Sequence, residues 1–170
     1  MKRRLGWLVF AASTLPFLPS LRNGFVDWDD PLFIVKNPAL ARFDLRWIFT
    51  TTLGGHYHPL TWLSLAVDRA LWGPAAWGVH LTSLLLHAGA AALFYAIARR
   101  LLGKDSEGPA IFAALLFAVH PLRVESVVWA VERRDVLSGF FYLLTIKLWL
   151  DDKPRPALAA YAASLLSKGI

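Results

Sequence analysis

AAWGVHLTSLLLHAGAAALFYAIA (Ala75–Ala98) runs without a single Asp, Glu, Lys or Arg. A helix of that length reaches roughly 36 Å, enough to cross a hydrocarbon core of about 30 Å with some tilt. Trp72-Gly73-Pro74 separates it from the segment before, and Arg99, Arg100 and Lys104 follow it. His80 and His87 lie seven apart and share a helical face. They read as a polar stripe packed against neighbouring helices, because two histidines alone are a weak metal signal.

The same pattern recurs on both sides of this run. After MKRR, residues 5–21 are uncharged and read as a first span. A signal peptide would need a small-x-small cleavage site, which is missing, and Pro16 and Pro19 sit near its far end. The basic N-terminus is expected in the cytoplasm. Ala75–Ala98 is then the second span. Residues 109–122 form a third apolar run, short for a bilayer, which either continues helically to about residue 131 or breaks near Pro121. Residues 136–150 make a fourth, with Lys147 free to snorkel. Residues 157–170 begin a fifth, cut off within the span, so the chain reads as a fragment. The predicted fold is all-α and polytopic.

Residues 22–74 are polar and rich in turn signals: Asn23-Gly24, Asp30-Pro31, Asn37-Pro38 and Gly54-Gly55. Short helices are predicted over about 38–51 and 59–72. In the second, Leu60, Leu63, Val67 and Leu71 share one face while Thr61, Ser64 and Asp68 share another. That pattern predicts an amphipathic helix along the interface.

Composition narrows the function classes. Of 170 residues, 56% are hydrophobic and 18% charged, against about 25% charged in soluble domains. No cysteine is present, which excludes disulfide frameworks, thiolate nucleophiles and cysteine-based zinc sites. The formal charge is +6, but the basic residues lie between apolar segments rather than in a stripe. Membrane orientation and an anionic lipid-linked substrate explain them better than nucleic acid does.

Alternation of the spans puts two charged regions on one outer side. The first holds Asp27, Asp29 and Asp30; the second holds His120, Arg123, Glu125, Glu132, Arg133, Arg134 and Asp135. Charges at membrane depth cost about 2.5–3.5 kcal/mol each on insertion scales, so they face a cavity or a partner. Carboxylates opposite arginines suit a substrate with an anionic headgroup, and the guanidinium fork matches phosphate oxygens. The reaction this suggests is sugar transfer from a lipid phosphate. A carboxylate would take the acceptor hydroxyl's proton, and arginines would stabilise charge on the departing phosphate. The same residues also allow a plainer reading, in which the aspartates solvate a loop and Arg123/Glu125 and Glu132/Arg133 are structural ion pairs.

Five blocks occur in order: GFVDWDDPLFIVKNP (Gly24–Pro38), HYHPLTWLSLAVDRALWG (His56–Gly73), WGVHLTSLLLHAGAAALFYAI (Trp77–Ile97), HPLRVESVVWAVERRDVLSGFF (His120–Phe141) and LLSKG (Leu165–Gly169). Together they resemble the N-terminal membrane part of the transmembrane and tetratricopeptide-repeat-containing O-mannosyltransferases and their bacterial relatives. The resemblance covers nearly the whole chain and implies a GT-C glycosyltransferase fold. It implies Asp29 as general base with Asp30 beside it, and Arg123 and Arg133 on the donor phosphate. Asp27, His56, His58, His120, Glu125, Glu132 and Asp135 are supporting candidates. The implied donor is a polyprenyl-phosphate sugar, with mannose or another hexose passing to a protein Ser/Thr or glycan hydroxyl. No metal or other cofactor is implied. The expected location is a bacterial inner membrane, with the site on its periplasmic face. Further spans and the tetratricopeptide repeats are expected beyond residue 170. The rival reading is a non-catalytic scaffold or lipid-binding relative, or an inactive truncated fragment.

Overall fold

The computed structural model describes residues 2–103 and 105–169, with side chains from Leu5 onward. The basic side chains of Lys2, Arg3, Arg4 and Lys104, on which the expected orientation leans, lie outside the described ones, as does Ile170. The described chain is all-helical. Its α-helices are α1 (Lys2–Thr14), α2 (Pro38–Ala41), α3 (Leu45–Thr50), α4 (Pro59–Trp72), α5 (Ala76–Leu102), α6 (Glu107–Val119), α7 (Arg123–Val128), α8 (Arg133–Leu150) and α9 (Pro154–Ser167). Among the described residues, α5 alone combines the length and apolarity needed to cross a membrane.

Helix α5 is the central rod, packed against α1, α6 and α8. Small residues let the helices close in. Ala110, Ala114 and Ala118 repeat every four positions on α6, and all are fully buried, packed with Ala91 and Tyr95 of α5 and Val9 of α1. Gly89 of α5 faces Phe140 of α8, whose ring would stand 2.9 Å from any added Cβ. Side-chain contacts fix the directions. Gly6 lies by Tyr95 and Phe17 by His87, so α1 and α5 are antiparallel. Arg133 bonds to the Val79 carbonyl at the start of α5, and Arg100 to the Leu150 carbonyl at the end of α8, so these two run parallel. One end of the bundle therefore gathers Arg99, Arg100, Glu107 and Asp151. The other gathers residues 22–58, α7 and the end of α9.

Proline decides several boundaries. Pro16 and Pro19 lack the N–H of an α-helical ladder, and α1 tightens into 3-10 turns over Leu15–Arg22. The run from residue 109 breaks: α6 stops at Val119, His120-Pro121-Leu122 turns, and α7 starts afresh at Arg123. The single helix expected over 38–51 is two. Phe43 takes a positive φ of 53°, and Asp44 caps α3 by accepting from the Trp47 amide at 3.0 Å.

The polar end has its own core. Trp62 of α4 is 1% exposed. Phe33 stacks on it at 6.0 Å, Trp47 tilts against it at 5.3 Å and His58 at 4.7 Å. Ile34, Leu40, Ile48, Leu65, Val79 and Val131 close around this centre. Helix α4 turns its polar stripe inward. Thr61 and Asp68 are buried, whereas Leu71 and Val67 are exposed. The reason is a buried cation that Ser64 and Asp68 must satisfy, described next.

Candidate functional site

The acidic pair is split by its surroundings. Asp30 is fully buried at the start of one π-helical turn (Pro31–Val35). Its carboxylate accepts from the Val26 amide at 2.8 Å and the Val131 amide at 3.0 Å. Burial pushes the Asp30 carboxyl above its ordinary value, while those two amides pull it back in part. Asp29 is half-buried, and its carboxylate has no hydrogen-bond partner among the described residues. Its main chain is fixed nonetheless, because its carbonyl accepts from Leu32 and Phe33 at 3.1 and 3.0 Å. Asp27 beside it is exposed.

Because Asp30 holds Val131, the acidic loop lies against the segment from Arg123 to Asp135. An open groove of about 540 Å³ separates them, lined by Val26 and Trp28 on the loop side and by Val124, Glu125, Val128 and Trp129 on the α7 side. Glu125 is exposed there.

A second cavity, about 450 Å³, opens between α5, α6, α7, α8 and α9. Phe117, Val127, Val136 and Leu165 supply apolar wall, while Arg123, Asp135 and Lys168 supply charge. The Arg123 guanidinium sits 4.3 Å from the Phe117 ring centroid, a cation–π contact that fixes it without neutralising it. Asp135 forms an ion pair with Lys168. A cationic cavity with an apolar wall can hold an amphiphilic anion.

The remaining candidates are dispersed. Arg133, expected on a phosphate, is fully buried and faces α4 and α5 instead. It donates to Ser83 (2.9 Å), Ser64 (2.7 Å), Asp68 (2.8 Å) and the Val79 carbonyl (2.5 Å). Thr82 donates to the other Asp68 oxygen at 2.6 Å. A guanidinium at this depth survives only when its donors are occupied and its charge is met, so this one serves the fold. Glu132 pairs with Arg134 at 2.5 Å, not with Arg133. His120 is exposed and accepts from the Leu122 amide through Nδ1 at 3.3 Å, fixing the α6–α7 turn. His87 contacts the Ala118 carbonyl at 2.9 Å, satisfying the end of α6. His56 is exposed, whereas His58 is buried against Trp62. Burial first, then Arg134 and His56, lower the His58 imidazole to about 4.

Two participants carry little signal in the sequence. Asp68 shares a polar stripe with Thr61 and Ser64, and nothing in that stripe says that it faces Arg133. Lys168 stands within LLSKG. Its signal is a lone cation near the end of an apolar helix.

With this geometry in hand, the chain proves similar to known proteins. Protein O-mannosyl-transferase TMTC2 of Homo sapiens is 38% identical over 102 residues, which cover 59% of this chain and 12% of that protein. Protein O-mannosyl-transferase Tmtc2 of Drosophila melanogaster is 36% identical over 170 aligned positions, covering 89% of this chain and 18% of that protein. Protein O-mannosyl-transferase TMTC1 of Homo sapiens is 34% identical over 149, covering 81% and 17%. The chain thus spans less than a fifth of the length of each of these three relatives. No protein-family model and no solved structure matches it.

Proposed function

Because the chain belongs to the TMTC-like family, we propose that its parent protein is a membrane glycosyltransferase that moves a sugar from a polyprenyl-phosphate donor to a protein hydroxyl. One observation carries the reading: Asp30 ties the acidic loop to the segment from Arg123 to Asp135 through Val131. Asp29 and Arg123, neither of which has an ion-pair partner among the described residues, then stand on the same end of the bundle.

In the proposed reaction, Asp29 accepts the proton of the acceptor hydroxyl as its oxygen attacks the anomeric carbon. The bond from that carbon to the phosphate oxygen breaks, and its electron pair stays on the phosphate. Arg123 stabilises the growing charge. Asp30 positions Asp29 rather than reacting. Glu125, which lines the groove, and Asp27, which lies between the groove residues Val26 and Trp28, orient the acceptor. No metal takes part in this scheme. Arg133, which holds α4, α5 and α8 together, has no contact with the donor in this scheme.

What the helices leave outside supports a membrane setting. Trp7 and Phe112 are each 70% exposed, and Trp149 and Leu158 each 62%. They lie on the outward faces of α1, α6, α8 and α9. Such apolar faces are costly in water and ordinary in lipid. We read these helices as joining α5 in the bilayer of a bacterial inner membrane, with the Asp29 end outward. Further spans and tetratricopeptide repeats would follow in the parent.

The test uses the full-length protein in membranes. A labelled polyprenyl-phosphate mannose is supplied with an acceptor protein, and transfer of label is followed. Wild type transfers; Asp29→Asn does not, at equal membrane abundance. Transfer undiminished by Asp29→Asn removes this residue as base, and absence of any transfer by wild type favours a non-catalytic relative.

A further inference from the structure

The proposed transfer leaves one cation of the 450 Å³ cavity unused. Lys168 belongs to LLSKG, and it ends α9 at the mouth of the cavity that Arg123 enters. Its position is not incidental. The Ser167 carbonyl accepts from Thr61 of α4 at 2.7 Å, and Ser164 joins Ser138 of α8 through a donated bond to its carbonyl at 2.9 Å. An added Cβ on Gly169 would stand 3.0 Å from the Tyr57 carbonyl, so the chain passes close to the polar end here. These contacts fix the backbone on both sides of the lysine, while its ammonium reaches Asp135 across the cavity wall.

The charges of the cavity do not balance. Arg123 and Lys168 are positive, and Asp135 is the only acid among the described lining residues. The Lys168–Asp135 pair is partly open to solvent, with side chains 48% and 28% exposed. Such a pair is weakly held and exchanges readily for a better anion. A lipid-linked sugar phosphate is a diester with one negative charge. When the sugar leaves, the phosphate becomes a monoester with up to two. Arg123 matches the first charge, and a second cation is needed for the one that appears during transfer.

We propose that Lys168 is a second ligand of the lipid phosphate, and that its ion pair with Asp135 is a latch that the phosphate opens. Lys168 swings from the carboxylate to the phosphate oxygens, and Asp135 retains only its contact toward Ser126. The apolar wall of Phe117, Val136 and Leu165 selects a lipid phosphate over the free ion. This inference rests on the donor reading above and adds to it the residue that answers the charge of the leaving group.

The experiment measures binding rather than turnover. Full-length protein in nanodiscs is titrated with farnesyl phosphate, with farnesol and with inorganic phosphate. Wild type binds farnesyl phosphate and neither control. Lys168→Met weakens that binding by about tenfold, the worth of one charge-assisted contact, while Lys168→Arg retains it. Asp135→Asn frees the lysine and tightens binding severalfold. Failure of wild type to bind farnesyl phosphate sinks the donor reading itself. Binding by wild type that is unchanged in both Lys168→Met and Asp135→Asn overturns the lysine's role alone. Should Lys168→Met not accumulate, the Arg and Asn variants decide: no tightening in Asp135→Asn removes the latch.

Discussion

The Val131 amide donates to the Asp30 carboxylate at 3.0 Å, joining two residues 101 positions apart. The second oxygen of Asp30 is taken by Val26 within the loop. The pair of aspartates thus divides its work, and substitution separates the parts. Asp30→Ala leaves the buried Val131 amide and the partly buried Val26 amide without their acceptor and lowers stability by about 2 kcal/mol or more. Asp29→Ala breaks no side-chain bond among the described residues and leaves stability within about 0.5 kcal/mol of wild type. Thermal unfolding of the two variants in one detergent checks this. Equal destabilisation would refute the division.

The Arg133–Asp68 pair predicts strong non-additivity. Asp68→Leu strands a fully buried guanidinium, and Arg133→Met strands a buried carboxylate. Each single change costs about 3–5 kcal/mol. The double variant replaces both charges with apolar groups and recovers much of that loss. Folded yield and unfolding midpoint of the four proteins close the cycle. A double variant as unstable as the sum of the singles would mean that the hydroxyls of Ser64, Ser83 and Thr82, not the charge pair, dominate the network.

What was legible in the sequence was the apolar periodicity and the places where proline interrupts it. Ala75–Ala98 corresponds to α5 within a few residues, and Pro59–Trp72 is a helix from its proline onward. The two sides of α4 could not be assigned that way. Periodicity says that Thr61, Ser64 and Asp68 share a stripe, but which stripe faces protein depends on Arg133, 65 positions beyond Asp68. The same limit applies to Arg133 and Arg123. Both are arginines in one charged block, and only packing puts one behind α4 and leaves the other in a cavity. The split at Phe43 was equally hidden, because a positive φ at phenylalanine has no composition signal.

His58 makes stability depend on pH. Its folded value is about 4, below the ordinary 6.5, so between these limits the unfolded chain binds more protons than the folded one. Stability from this group is therefore complete above 6.5 and is lost as pH falls through the window toward 4, by on the order of 3 kcal/mol. Replacement by glutamine, which cannot titrate, flattens the profile across this range. Unfolding free energies of wild type and His58→Gln at pH 7, 5.5 and 4.5 test the sign. A parallel pair of curves would show that the ring titrates normally in the fold.

The two-ended bundle makes a topological prediction that the chain is suited to report, since it contains no cysteine. Asp27 and Leu122 are exposed at the end that carries the acidic loop, and Leu102 is exposed at the other. Single cysteines at these positions in the full-length protein, with any cysteine outside these 170 residues replaced by serine, are treated with a membrane-impermeant maleimide in intact cells. Asp27→Cys and Leu122→Cys are expected to label at once, and Leu102→Cys only after the membrane is opened. The comparison separates two questions. Labelling of 27 without 122 would break the shared end that Asp30 and Val131 define. Labelling of 102 in place of both would keep the bundle and invert it, moving Asp29 and Arg123 to the cytoplasmic face and with them the side from which the lipid-linked donor must be presented.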